Sequence, residues 1–529
     1  MRNGHNGVNG DYLDAASDDA LSVISSESDV YKLAIGRYSA SNLINSDMIW
    51  SDPYLVIRRV NILLSGIDVV PFNTTYTDAL GNTRRLNESM KAEARFLRAY
   101  FYFELVKRYG GVPIIGDKVY ELNENIELPR STFEQCIKYI VSELDDIKDD
   151  LRSLPLPDAA ASAHVVNTQA AQALKIRVLL YAASPLFNEK PIESGNELIG
   201  YASYDRERWK IAADAARNFI NTYGTGDGAI MGLDDNFKNV FTNWYSNEHK
   251  EVIFFRENAM DKTVETANGP LGLSGAKQGN GRTNPTQNLV DAFLMKDGHF
   301  IKEGKYEYNE QLPYAQRDPR LEYTIIHNGS SWVNSTMETW QGGANNPLGS
   351  SYSLTSYYMR KFMGDFEAAN EYQDTQHNWV MFRYAEILLN FAEAENEYLP
   401  TPSQAVYDAI IALRRRAGIE PGEKNLYGLT TDGLTHNLTQ AEMRKVIQNE
   451  RRIELAFEEH RYWDIRRWRL AEQVYAQPIQ GMYITKSQTS TTYVPQSVLN
   501  VQWDNKRYFY PIPYSEVIKN KNMVQNPNW

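Results

Sequence analysis

Aromatic rings set among small polar residues carry the most specific chemistry in this sequence. Trp332 and Trp340 lie in a stretch of glycine, serine and asparagine. Tyr352, Tyr357, Tyr358 and Arg360 follow closely. Trp50 comes just after Asn42, Asn45 and Asp47. The run Gly279-Asn280-Gly281-Arg282-Thr283-Asn284-Pro285-Thr286-Gln287 is a polar turn leading into a helix at Leu289. A flat ring covers the apolar C–H face of a sugar, while amides, carboxylates and guanidinium groups bind its hydroxyls. The pattern suits a neutral-sugar site, although any single ring here can instead pack against a neighbour.

Catalytic signatures are missing. No Gly-x-Ser-x-Gly elbow and no His-Glu-x-x-His occurs. Gly304-Lys305 is followed by Tyr306, and Gly298 stands at the wrong spacing for a phosphate loop. The eight histidines and one cysteine form no metal-ligand spacing, so neither metal nor cofactor is expected. Two of the 67 acidic residues could still serve a glycosidase. Asp145-Asp146 and Asp149-Asp150 read more simply as a solvated helix face. The densest charged run is Glu450–Trp468. Read as one helix, it places Ile453, Phe457 and Trp468 near one side and allows Glu458–Arg461 and Arg461–Asp464 pairs. Charges interleaved with Tyr462, Trp463 and Trp468 suit a buried helix with its ions paired, bracing the body rather than reacting.

Helices must position these groups. Over Met90–Arg108, apolar residues recur at Ala92, Phe96, Ala99, Phe103 and Val106, which lays one stripe along a helix. Gly110-Gly111-Val112-Pro113 ends it. Further helices are predicted over Trp50–Ile67, Thr132–Leu151, Thr168–Ala183, Arg206–Tyr223, Trp379–Tyr398 and Ser403–Arg416. They come in pairs rich in alanine and aromatics, resembling degenerate tetratricopeptide repeats. Residues 224–378 and 475–529 are irregular, with short strands expected at Glu251–Arg256 and Leu321–His327. Long loops on a helical scaffold are where binding resides. The expected division is an N-terminal helical lobe (1–223), a loop-rich ligand-binding insertion (224–378) and a C-terminal lobe (379–529) that completes the scaffold.

Composition narrows the function classes. The 529 residues are 42% hydrophobic, enough for a large core. The net charge of −12 and the lack of a long basic block argue against nucleic acid. The chain holds 34 Tyr, 19 Phe and 10 Trp, an excess that suits flat uncharged ligands. Cys136 has no partner for a disulfide and reads as a small buried hydrophobe. No apolar run is long enough to span a membrane, and the polar start Met1–Gly10 shows neither a signal core nor a lipid-bearing cysteine.

Several segments together resemble one family. They are Lys91–Pro113 (KAEARFLRAYFYFELVKRYGGVP), Asn449–Trp468 (NERRIELAFEEHRYWDIRRW), and the end Tyr510-Pro-Ile-Pro-Tyr-Ser-Glu-Val-Ile with Gln525-Asn-Pro-Asn-Trp529. Pro285–Phe293 and Arg383–Ala394 fit as well. In this order, across nearly the whole chain, they resemble the SusD/RagB family of surface nutrient-capture proteins. The resemblance implies a mostly α fold, a tetratricopeptide-like α-α superhelix with a loop-rich second lobe containing short β-strands. It implies an outer-membrane, lipid-anchored lipoprotein at the cell surface that binds oligo- or polysaccharide and hands it to a SusC-like TonB-dependent transporter. It also implies that the protein is not an enzyme.

The family's anchor and leader are expected upstream of Asp11–Asp19. The resemblance points to Trp50 as a stacking platform, Arg282 (with Thr283) and Arg360 as hydroxyl donors and Asp19 as an acceptor. Loop chemistry adds Trp332, Trp340 and Tyr357. A helical glycoside hydrolase or lyase, or a repeat scaffold that binds only protein, stays open as an alternative.

Overall fold

The computed structural model describes residues 1–23, 27–121, 123–155, 164–226, 228–244, 250–347, 353–430 and 438–529. Tyr352 therefore lies outside the described residues. The first half is helical. After a short helix α1 (Asp29–Ile35) come α2 (Ser51–Gly66), α3 (Leu86–Tyr109), α4 (Phe133–Ile147), α5 (Thr168–Ala183), α6 (Pro185–Asn188) and α7 (Glu207–Tyr223). Thr132 accepts from the Gln135 amide while the Gln135 side chain accepts from Thr132 N–H, a reciprocal cap that starts α4. The stripe Ala92, Phe96, Ala99, Phe103, Val106 of α3 is buried. Cys136 is also buried and unpaired.

The central stretch holds only short elements, among them α8 (Asn239–Thr242), α9 (Thr263–Asn268), α10 (Gln287–Ala292) and α11 (Arg320–Thr324). The last part returns to helices: α12 (Tyr384–Tyr398), α13 (Gln404–Ala417), α14 (Gln440–Glu454), α15 (Arg461–Arg467), α16 (Ala471–Tyr475) and α17 (Tyr514–Lys519). Gly418 closes α13 at φ 84°, a left-handed cap that glycine adopts without strain. Packing runs α2 on α3, α3 on α4, α4 on α5, α5 on α7, α7 on α12, and α12 on both α13 and α14. This is a helical-repeat scaffold of tetratricopeptide-like pairs, and it carries a loop-rich lobe.

Strands occur only as antiparallel pairs among the described residues. In chain order they are β1 (Ala20–Ser22), β2 (Thr75–Thr77), β3 (Thr83–Arg85), β4 (Val252–Arg256), β5 (Met260–Asp261), β6 (Thr283–Pro285), β7 (Ile325–Ile326), β8 (Ser331–Trp332), β9 (Ser335–Thr336), β10 (Tyr358–Met359), β11 (Thr375–Gln376), β12 (Trp379–Arg383), β13 (Ile479–Lys486) and β14 (Thr491–Leu499). One hydrophobic core runs from Val8 in the first segment through Trp332 in the loops to Ile512 near the end.

Three expectations need correction. Trp379–Arg383 is not the first turn of a helix. It is β12, paired with β4, because its side chains are buried in a sheet before the helix begins at Tyr384. The stretch Leu321–His327 begins as helix α11 and only Ile325–Ile326 is strand. Part of 475–529 is not irregular: β13 and β14 form the longest hairpin among the described residues.

The charged run is also not one helix. It breaks between α14 and α15, where Phe457 and Glu459 take φ of 62° and 61°. The expected Glu458–Arg461 and Arg461–Asp464 pairs do not form. Glu458 instead meets Lys361 and Arg383, Arg461 meets Asp18, and Asp464 meets Arg451 and Arg467. Arg320 is fully buried between Asp318, Glu450 and Glu454. These groups tie the central lobe and the N-terminal segment to the scaffold.

Candidate functional site

The loop lobe presents one patch that combines half-buried rings with amides and charges. Tyr314 stacks on His327 with centroids 3.8 Å apart and planes 20° apart. Tyr493 meets Tyr314 edge-on at 5.9 Å. The Asn328 amide donates to the Tyr493 hydroxyl at 3.0 Å, and its carbonyl accepts from the Thr339 amide at 3.1 Å. Next along the chain, Trp340 lies under Lys486, whose Nζ is 5.2 Å from the ring centroid. Tyr314, Tyr493 and Trp340 are each partly exposed.

Two elements hold this patch. In the β13–β14 hairpin, Ile484 pairs with Tyr493, so the buried Met482 and Ile484 face the lobe together with Tyr493. The Gln341 amide donates to the Ile484 carbonyl at 2.8 Å, which fixes the Trp340 loop against the hairpin. Beneath, the Tyr314 hydroxyl donates to the Tyr357 hydroxyl at 3.2 Å, which in turn donates to Gln287 at 2.5 Å. A braced ring loses little conformational entropy when a ligand covers it.

The charged groups around the rings are paired. His327 Nε2 lies 2.8 Å from Glu322 Oε1. Arg360 pairs with Glu367 and donates to the Glu322 carbonyl at 2.6 Å. Lys486 lies 3.7 Å from Glu338. Burial works against ionisation of Glu322, yet the His327 hydrogen bond and the charges of His327 and Arg360 hold it below the usual carboxylate range. Among the described residues no group of three or more His, Cys, Asp or Glu is arranged to hold a metal ion.

The structure scatters the residues singled out in the sequence. Trp340 and Arg360 belong to the patch. Trp332 and Tyr357 are fully buried beneath it and have no open face for a ligand. The Trp332 indole donates to Tyr372 at 2.9 Å, and its ring underlies Arg360. Both act as supports instead, because the loops fold over them to form core.

Asp19 and Thr283 are likewise fully buried, away from the patch. Asp19 pairs with Arg452, and Thr283 lies in β6, paired with β1. Arg282 is partly exposed but donates to the Asn9 carbonyl at 2.9 Å and sits 3.4 Å from Asp11. It clamps the N-terminal segment. Trp50 is mostly buried against Tyr54 and Tyr109 and edges a separate groove of about 720 Å³ between α2 and α17. A larger groove of about 990 Å³ opens between α7 and α14, lined by Trp209, Trp468, Arg444 and Glu397, and contains none of these residues.

Sequence reasoning missed Tyr314, His327, Asn328 and Tyr493. The alternation in Met482-Tyr-Ile-Thr-Lys486, followed by Ser-Gln-Thr-Ser and Thr-Thr-Tyr-Val494, is a hairpin signal that would have brought Tyr493 forward. Nothing local marks Tyr314.

Comparison with known proteins agrees with this architecture. The profile of the family described as "SusD family" matches residues 250–529. A second profile, "Starch-binding associating with outer membrane", matches residues 9–180. SusD-like protein P2 of Formosa agariphila is 24% identical over 482 residues, covering 90% of this chain and 79% of its own. A crystal structure of a SusD-like carbohydrate binding protein from Bacteroides fragilis NCTC 9343 superposes with a TM-score of 0.73 at 25% identity, covering 97% of this chain and 92% of that one. A laminarin binding SusD-like protein shares the fold, with a TM-score of 0.65 at 19% identity, covering 100% of this chain and 95% of that one.

Proposed function

The chain belongs to the SusD family, and from that premise we propose that it is a non-catalytic glycan-binding protein of the outer cell surface. It captures oligo- or polysaccharide on the loop-lobe patch and delivers it to a SusC-like TonB-dependent transporter in the outer membrane. The observation that carries this reading is the braced platform of Tyr314, Tyr493 and Trp340 beside Asn328, Glu322 and Arg360. Rings of this kind cover sugar faces, and the amide and carboxylate groups take hydroxyls.

The relatives' names support it: a carbohydrate binding protein and a laminarin binding protein share this fold. The description "associating with outer membrane" supports the location. The absence of catalysis is supported by the lack of catalytic signatures in the sequence.

Calorimetric titration against a panel of polysaccharides tests the reading. Binding to at least one polysaccharide is expected, with no new reducing ends appearing. Trp340→Ala/Tyr493→Ala should weaken it by roughly tenfold or more while the fold is kept. Binding unchanged in that variant would remove the patch from the account.

A further inference from the structure

We propose that Glu322, Glu338 and Glu367 set the specificity of the patch by occupying its cations, which reserves it for uncharged glycans. This inference rests on the reading that glycan binds at this patch. A polysaccharide bearing carboxylates or sulfates must shed water from its anions to lie on the rings. Only a cation that is still available offsets that loss.

Among the described residues, each cation of the patch already faces a carboxylate. The Arg360 guanidinium is taken by Glu367 and by the Glu322 carbonyl. Lys486, above Trp340, faces Glu338. Lys238, at the margin, pairs with Asp365 and stands 3.8 Å from Glu367. His327 faces Glu322.

The carboxylates also outnumber the permanent cations: Glu322, Glu338 and Glu367 stand against Arg360 and Lys486. Side-chain exposure is 50% for Glu322, 40% for Glu338 and 32% for Glu367, against 46% for Lys486 and 13% for Arg360. An approaching polyanion therefore meets a patch whose exposed charge is negative on balance. The net charge of −12 adds a long-range field of the same sign. For a neutral sugar the same carboxylates are acceptors for hydroxyl protons, and their paired cations orient them.

Affinity electrophoresis of the intact protein distinguishes the outcomes. The gels contain laminarin, starch or galactomannan as neutral probes and polygalacturonate, alginate or heparin as acidic ones. The wild type should be retarded by at least one neutral probe and by none of the acidic ones. Glu338→Gln/Glu367→Gln frees Lys486 and Arg360. It should gain retardation by an acidic probe, about tenfold over wild type and lost again at high salt. Glu338→Gln alone, at a more exposed position, should show part of the gain and serves if the double variant does not fold. Wild-type retardation by an acidic probe that Trp340→Ala abolishes would overturn the specificity claim while leaving the glycan site intact. A folded charge variant without any gain would also overturn it. A wild type retarded by no probe would overturn the site itself.

Discussion

At the residue scale the same side-chain types do two separate jobs, and burial decides which. Glu454 is fully buried, with Arg320, Arg383 and Arg416 around it. Burial opposes its ionisation, but the three arginines overcome it and hold it well below the usual range. Glu454→Gln keeps the shape and removes the charge that these arginines share. Arg320, Arg383 and Arg416 keep Asp318, Glu450, Glu251 and Glu458 but each loses one partner, so the loss should be about 1–3 kcal/mol of stability, read from chemical denaturation. Glycan affinity should not change, since Glu454 braces the body. A variant of normal stability would refute the bracing role. That this charged run lies buried with its ions paired was readable from its aromatic spacing, but its partners were not, because Asp18, Lys361 and Arg383 lie far away in the chain. The exposure of individual rings was not. Trp332 and Tyr357 sit in glycine- and serine-rich sequence just as Trp340 does, yet only Trp340 keeps an open face. The difference comes from which loop folds over which, a matter of contacts far apart in the chain. Tyr314 and Tyr493 meet across such a gap, so neither neighbourhood announced the pair.

Elements were legible where periodicity was local. Helices α3, α5, α7 and α13 follow their apolar stripes and their glycine or proline stops closely. The break between α14 and α15 had no such sign. Phe457 and Glu459 adopt left-handed backbone that costs a non-glycine residue roughly 1–2 kcal/mol. Burial of Phe457, a hydrogen bond from its amide to Asp14 and the Arg383 contacts of Glu458 offset that cost, and all of these are tertiary. The outer side of α2 carries another message. Leu55 and Ile62, one above the other, are 48% and 47% exposed, and α17 adds Ile518 at 64%. Leu55 lines the 720 Å³ groove together with Trp50, Ile126 and Met523. Exposed apolar surface of this kind suits a protein partner, and in the proposed function that partner is the transporter. Leu55→Asp/Ile62→Asp should reduce co-purification with a co-expressed SusC-like transporter by roughly tenfold or more, with glycan binding intact. Undiminished co-purification would place the contact elsewhere.

At the scale of the molecule, the N-terminal segment joins the two lobes, and its buried ionisable groups set how the whole responds to pH. Asp11, beside Arg282 and Thr283, is pushed by burial from 3.8 to about 6. Asp14 and Glu459 are raised by burial too. Raised carboxyl groups give stability that is present below the unfolded value and lost as pH rises through the folded one. The histidines act in the opposite sense. Burial lowers His5 from 6.5 to about 3, and His460 falls well below its usual value by burial and by Arg451. Their contribution is complete above about 6.5 and is lost as pH falls. Between about pH 4 and 6.5 the two sets offset each other, and Tm should vary little. Below about pH 4 the raised carboxyls are protonated in both states and contribute nothing further. The paired carboxylates then join the histidines. For Glu104, burial opposes ionisation but Lys107 and Arg108 bring it to about 2; for Asp47, Arg108 and Arg2 likewise overcome burial. Their stabilisation is lost as pH drops toward these folded values, so unfolding should become steep there. Asp11→Asn removes one of the terms that compensates the histidines. In that variant Tm should already decline between pH 6.5 and 4.5, by an amount corresponding to about 3 kcal/mol or less. Calorimetric scans across this range decide it, and parallel curves for variant and wild type would show that Asp11 does not hold its proton in the folded protein.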